Sequence, residues 1–282
     1  MANNFSLPRQ QCNGIAYYQG GTDGATLLFL HGVGLSADCW QQQISVLEQQ
    51  NTVFAVDLPG HGASAVFGNS DDGNNSIKIT DFSDKIAEFI ATKIDKPVIV
   101  VGHSLGALIT LQLAADHPQH LSAAVAISAV FCRSQQAQHA VAARATQLQQ
   151  ATDAIRHTLI DSTIARWFGQ SSQSSEHAQA AEQCRDWLRQ TPAAAYATAY
   201  QVFATTAAEQ IPLAQLTRPV LYLTGADDPN STAEMSKQMA AQTPNAEAMI
   251  IAGHAHLLQM TAATAVCQAL QQGLLSFPDC TT

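Results

Sequence analysis

Six short, continuously apolar runs constrain this chain more than anything else in it: TLLFLHG (26–32), TVFAVDLPG (52–60), PVIVVGHS (97–104), AAVAIS (123–128), PVLYLTG (219–225) and AMIIAG (248–253). A strand with one wet face alternates apolar and polar residues. These runs do not alternate, which is the pattern of strands covered on both faces of a parallel sheet. Helical spacing lies between them. Phe82, Ile86, Phe89, Ile90 and Ile94 recur three and four residues apart, with Thr80 or Asp81 placed to cap the start. Leu105, Leu108, Ile109, Leu111 and Leu113 predict a helix that stops near His117-Pro118. Strand and helix in alternation predict an α/β fold with a right-handed, doubly wound, mostly parallel sheet. IAYYQG (15–20) reads as an antiparallel edge strand.

One region breaks the rhythm. From Phe131 to about Pro212 no strand pattern occurs, only Ala- and Gln-rich helical sequence. Both of its ends must return to neighbouring strands, so it reads as a helical lid (131–212) inserted between two parts of one core (1–130 and 213–282). Its large residues Trp167, Phe168, Trp187, Tyr196 and Phe203 are candidates for lining an apolar substrate pocket, against ordinary packing of lid on body. Arg133, Arg166 and Arg185 are scarce cations here, and surface ion pairing is the expected fate of each. Any of them reaching the pocket would favour a carboxylate-bearing substrate.

Charged residues are only 12% of the 282, and the formal net charge is −9 without a run of Lys or Arg. That argues against nucleic acid and anionic membranes as partners, because both need clustered cations. No apolar run reaches the length of a membrane span. MANNFSLPRQ has no basic start followed by an apolar core, which points to the cytoplasm. The six cysteines lie far apart with no CxxC pair, so free thiols are expected rather than a zinc site or a disulfide framework. Phosphate loops of the Walker or dinucleotide type are absent, and no cofactor or metal is expected. No coiled-coil pattern marks an oligomer interface.

The chemistry concentrates in GHSLG (102–106), at the end of the valine-rich run. In an α/β sheet, ligands bind outside the carboxyl ends of the strands. Glycines two residues either side of Ser104 permit a tight strand-to-helix turn that exposes the hydroxyl above the sheet. A serine hydroxyl is a weak nucleophile and needs a base, itself oriented by an acid. PVLYLTG leads into Asp227 and Asp228, and AMIIAG into His254 and His256, so a carboxylate and an imidazole follow in the chain order Ser, Asp, His. The end of AAVAIS offers Ser128 and no carboxylate.

Taken together, FLHGVG (29–34), VDLPGHGAS (56–64), VGHSLGA (101–107), LTGADDP (223–229) and GHAHL (253–257) resemble the α/β-hydrolase-fold enzymes of the cofactor-independent esterase, lactonase and C–C hydrolase group. The resemblance implies Asp228, not Asp227, as acid and His256, not His254, as base. It implies backbone N–H groups of Val33 and Leu105 as oxyanion hole, with His31, Asp57, Gly60, His61 and His103 as scaffold. It also implies hydrolysis of a small carboxylic ester or lactone. C–C bond hydrolysis, cofactor-free perhydrolase or haloperoxidase chemistry, and a ligand receptor on the same fold are the alternatives. Dehalogenases and epoxide hydrolases of the fold carry Asp where this chain has Ser104.

Overall fold

The computed structural model describes residues 8–67, 76–169 and 175–276. Its strands are β1 Gln10–Cys12, β2 Ile15–Gly20, β3 Thr26–Leu30, β4 Thr52–Val56, β5 Val98–His103, β6 Leu121–Ile127, β7 Val220–Gly225 and β8 Ala246–Ile251. The α-helices are α1 Gln41–Leu47, α2 Ile79–Phe89, α3 Leu105–Asp116, α4 Gln135–Gln150, α5 Asp153–Phe168, α6 Ser175–Gln190, α7 Ala193–Thr205, α8 Ala233–Gln242, α9 Leu258–Thr261 and α10 Ala263–Ser276. All eight strands form one sheet in the order β1-β2-β4-β3-β5-β6-β7-β8, parallel from β4 to β8 and antiparallel at β1 and β2, with helices on both faces.

Each apolar run became a strand, and β3, β5 and β7 are buried along their whole length. Two expectations at the margins fail for physical reasons. IAYYQG is antiparallel but internal: the polar segment Gln10–Cys12 pairs outside it (Gln11 opposite Ala16) and takes the edge. An edge strand this short and polar has no apolar signature to read. The helix around Phe82 starts one residue earlier than Thr80, and Asp81 holds its first turn by accepting the Lys78 N–H at 2.6 Å.

The strand order has a functional consequence. β3 hands the chain to β4 on one side, while β5 hands it to β6 on the other. The loops leaving β3 and β5 therefore diverge and open a crevice at the carboxyl edge, the place where a doubly wound sheet binds ligands. Helices α4 to α7 fall between β6 and β7, with α4 packed on α7 and α5 on α6. They sit over that edge: the His256 N–H donates to the Trp167 carbonyl at 3.1 Å, and Leu188 and Tyr196 close over Gly34.

Cys12, Cys39, Cys132, Cys184 and Cys267 are free thiols, three of them buried, and Cys280 lies outside the described residues. Among the described residues no helix is long and apolar enough to cross a membrane, and no cluster of His, Cys, Asp or Glu is arranged to hold a metal.

Candidate active site

Ser104 sits between the last residue of β5 and the first of α3 with φ 55° and ψ −112°. That backbone is disfavoured for a residue with a Cβ, by about 1–3 kcal/mol, and persists only where the surroundings enforce it. The enforcement is visible. The Ser104 N–H is tied to the Ile127 carbonyl at 2.9 Å, and its own carbonyl caps α3 through Ala107 and Leu108. The flanking glycines exist because nothing larger fits. A Cβ on Gly102 would lie 2.1 Å from the Gly106 carbonyl oxygen, and one on Gly106 would lie 2.4 Å from that of Leu30.

Loops after β7 and β8 carry the other two groups. His256 Nε2 is 3.2 Å from Ser104 Oγ, and His256 Nδ1 is 2.7 Å from Asp228 Oδ2. Ser104, His256 and Asp228 are 7%, 2% and 3% exposed, so the file is buried. Asp228 Oδ1 accepts the N–H groups of Asn230 and Ser231 at 2.8 and 3.1 Å. Burial pushes the Asp228 carboxyl up, but the facing imidazole and these three hydrogen bonds outweigh it and leave the pKa below the usual value. A carboxylate held ionised against Nδ1 fixes that nitrogen as the N–H and leaves Nε2 able to accept from the serine hydroxyl. Asp227 is exposed, and His254 is half-buried against Thr261 and His177, so neither reaches the array.

Of the groups that aim His256, sequence reasoning named His103 as scaffold and left out the roles of Ser128 and Ser231. The His256 carbonyl accepts from His103 Nε2–H at 2.9 Å and from Ser128 Oγ–H at 3.3 Å. Ser231 Oγ–H in turn holds the Ser128 carbonyl at 2.7 Å. Ser128 and Ser231 carry no motif, and only their place at neighbouring strand ends could have flagged them.

The loop after β3 is fixed by buried neutral histidines. His31 Nδ1–H donates to the Gly32 carbonyl while Nε2 accepts the Leu58 N–H; His61 Nε2 accepts the Gly34 N–H while Nδ1–H donates to the Pro59 carbonyl. Burial pushes the His31 pKa well down, that of His61 to about 4 and that of His103 to about 3. Asp57, also buried, receives the N–H groups of Ala37 and Ala63. Val33 is thereby placed beside Ser104 in the wall of one cavity. Leu105 opens α3, so its N–H has no acceptor within the helix. Neither it nor the Val33 N–H has a hydrogen-bond acceptor among the described residues.

The cavity over Ser104 and His256 measures about 310 Å³, the small end of the range for ligand sites. Of the five expected lining residues, Trp167, Tyr196 and Phe203 face it. Phe168 is 1% exposed within the core, and Trp187 lines a separate cleft beside Gln183 and Met260. Neighbouring positions on a helix in the insertion face different partners, and sequence alone does not rank them. Val130, Val141, Tyr200 and Met235 complete the apolar wall. Arg185 forms the expected surface ion pairs with Asp161 and Glu182, but Arg133 and Arg166 line the cavity instead.

A serine on a strained strand-to-helix corner, an imidazole and a carboxylate in file, and two unclaimed amides beside them are parts suited to acyl transfer. This fold and array define the α/β hydrolase class. Residues 27–269 match the Alpha/beta hydrolase family, and the chain belongs to it. A relative from Acinetobacter baylyi, (E)-2-((N-methylformamido)methylene)succinate hydrolase, is 34% identical over 267 residues, covering 94% of this chain and 96% of the relative. Two solved structures share the fold: a hydrolase from Pseudomonas aeruginosa PA01 (TM-score 0.83, 21% identity, 97% and 99% coverage) and the enol-lactonase from Burkholderia xenovorans LB400 (TM-score 0.81, 18% identity, 95% and 100% coverage).

Proposed function

We propose that this hydrolase is a serine enzyme that cleaves a small carboxylic ester or lactone through an acyl-enzyme. The observation that carries the reading is the buried file Ser104–His256–Asp228 at 3.2 and 2.7 Å, with Ser104 and His256 in the wall of a cavity that Val33 also lines. Ser104 Oγ attacks the carbonyl carbon as His256 Nε2 takes its proton, and Asp228 stabilises the imidazolium that forms. The Val33 and Leu105 amides receive the oxyanion. His256 returns the proton to the leaving alkoxide, and a water activated by the same imidazole then releases the acid. The helices of 131–212 act as a lid that excludes bulk water and sets the acyl size, with Trp167 packed 6.0 Å from the His256 ring as its inner face.

The Acinetobacter relative is named for an N-formyl enamine rather than an ester. That supports a second reading in which the same three groups hydrolyse a different acyl bond.

A panel of short p-nitrophenyl esters and lactones, followed by stopped-flow, tests the first reading. A burst of one phenolate per active site and a preference for acyl chains of a few carbons are expected. Absence of turnover on every ester and lactone, with turnover of an N-formyl enamine, would favour the second.

A further inference from the structure

The chain has 22 acidic and 13 basic residues, yet two of the basic ones, Arg133 and Arg166, line a cavity whose wall contains no Asp or Glu. Neither forms an ion pair among the described residues, although Glu209 lies near enough to Arg133 to favour its charge. The single carboxylate near the floor, Asp228, is already committed to His256 and two amides. Arg166, with no ion pair beside a half-closed space, is an unsatisfied cation, because guanidinium does not neutralise itself at any ordinary pH.

The two are held differently. Arg133 is pre-set: its two terminal nitrogens donate to the Phe203 and Thr206 carbonyls at 2.8 and 2.9 Å, and the group stacks 4.6 Å over the Phe203 ring. Two of five N–H donors are thus used, and the plane cannot swing. Arg166, on the last turn of α5, makes no hydrogen bond among the described residues, and its buried Nε has no partner there. One fixed and one uncommitted guanidinium, with Ser134, Thr163 and Asn230 as neutral polar neighbours, form a receptor for carboxylate oxygen.

We infer that Arg133 and Arg166 form a carboxylate clamp, making the substrate a small acyl compound that bears a free carboxylate, of the dicarboxylic half-ester type. The inference rests on the serine hydrolase reading for the bond cleaved, but not for the binding itself. In a cavity of about 310 Å³ the acyl carbonyl occupies the Ser104 end, and the free carboxylate neutralises the cations under α4, α5 and α7. A neutral ester of the same size leaves both cations desolvated and unpaired, which is the stronger source of selectivity.

Calorimetric titration with succinate and with its neutral isostere succinamide tests the clamp without turnover. Succinate is expected to bind both wild type and Ser104→Ala at least about tenfold more tightly than succinamide. Arg166→Gln is expected to remove about 10- to 100-fold of the succinate affinity, with Arg166→Lys restoring part of it. Arg185→Gln, whose charge is paired outside the cavity, is expected to leave the affinity unchanged. Arg133→Gln is a second probe, but it also removes two hydrogen bonds that tie the segment before α4 to Phe203 and Thr206 at the end of α7, so Arg166 decides. Equal binding of the two ligands, or full succinate affinity in Arg166→Gln, overturns the clamp. Retained succinate binding with no ester turnover would instead overturn the hydrolase chemistry and leave the clamp standing.

Discussion

Replacing Ser104 by alanine is expected to lower kcat by about 10⁴- to 10⁶-fold, the loss found when a serine nucleophile is removed from a working relay. The structure makes this a clean substitution. Ser104 Oγ contributes a single contact, 3.2 Å to His256 Nε2, and no other side chain depends on it. The φ 55° corner that alanine must inherit is held by backbone bonds to Ile127, Ala107 and Leu108 and not by the hydroxyl. The circular dichroism spectrum and thermal midpoint should therefore stay close to wild type, while steady-state hydrolysis falls to the level that the two free amides and the cavity supply alone. A variant retaining more than about a hundredth of the wild-type kcat would remove Ser104 from the mechanism.

Acid should unfold this protein well above the range in which carboxylates titrate. His31, His61 and His103 are buried and neutral, and in two of them a ring nitrogen accepts a backbone N–H, so protonation would set donor against donor. Around His31 the rings of His61 and His103 and the Arg9 guanidinium all oppose protonation, and His103 faces His256 and Asp228. The hydrogen bond to the His256 carbonyl and the Asp228 carboxylate favour the charged His103 ring, and burial outweighs both.

The sign follows from where the protons go. Unfolded imidazoles protonate at the ordinary 6.5, whereas the folded ones resist to about 4 in His61 and about 3 in His103. The stabilisation is complete above 6.5 and is lost as pH falls toward those values, at up to about 1.4 kcal/mol per pH unit for each ring. Asp228 runs on a different window. Its pKa is lowered, so its contribution is lost only below about 3.8 and offsets nothing near pH 5. Three rings together amount to about 4 kcal/mol per pH unit, so up to about 10 kcal/mol is lost between pH 6.5 and 4, enough to exhaust the lower half of the typical range of about 5–15 kcal/mol. Urea midpoints measured from pH 7.5 to 5 should fall steeply, and less steeply in His103→Asn. Midpoints that stay level to pH 5 would contradict the neutral, buried assignment.

How much of this was legible beforehand depends on what kind of constraint each residue obeys. β3 through β7 could be read because a strand covered on both faces must be apolar at every position, a condition visible in one dimension. Gly102, Ser104 and Gly106 could be read because the corner leaves no room for a side chain at either glycine. Asp228 and His256 could be placed at strand ends, with the family resemblance choosing them over Asp227 and His254. The polar strand Gln10–Cys12 could not, since it is held by pairing with β2 (Ile15–Gly20) and not by burial. Nor could the fates of Phe168, Trp187, Arg133 and Arg166. In the insertion, α4, α5 and α7 each line the cavity with one face while other faces pack on neighbouring elements, and α6 lines a separate cleft instead. An apolar or cationic residue is acceptable on several faces, and only the packing selects one.

The relay itself is tested most directly by mapping the adduct of a fluorophosphonate probe. Peptide mass spectrometry should find a single modified residue, Ser104, and the labelling rate should fall by about 10²-fold or more in His256→Gln, where the general base is gone. An adduct on any other residue, or unchanged labelling of Ser104 without the imidazole, would contradict an activated serine at this site.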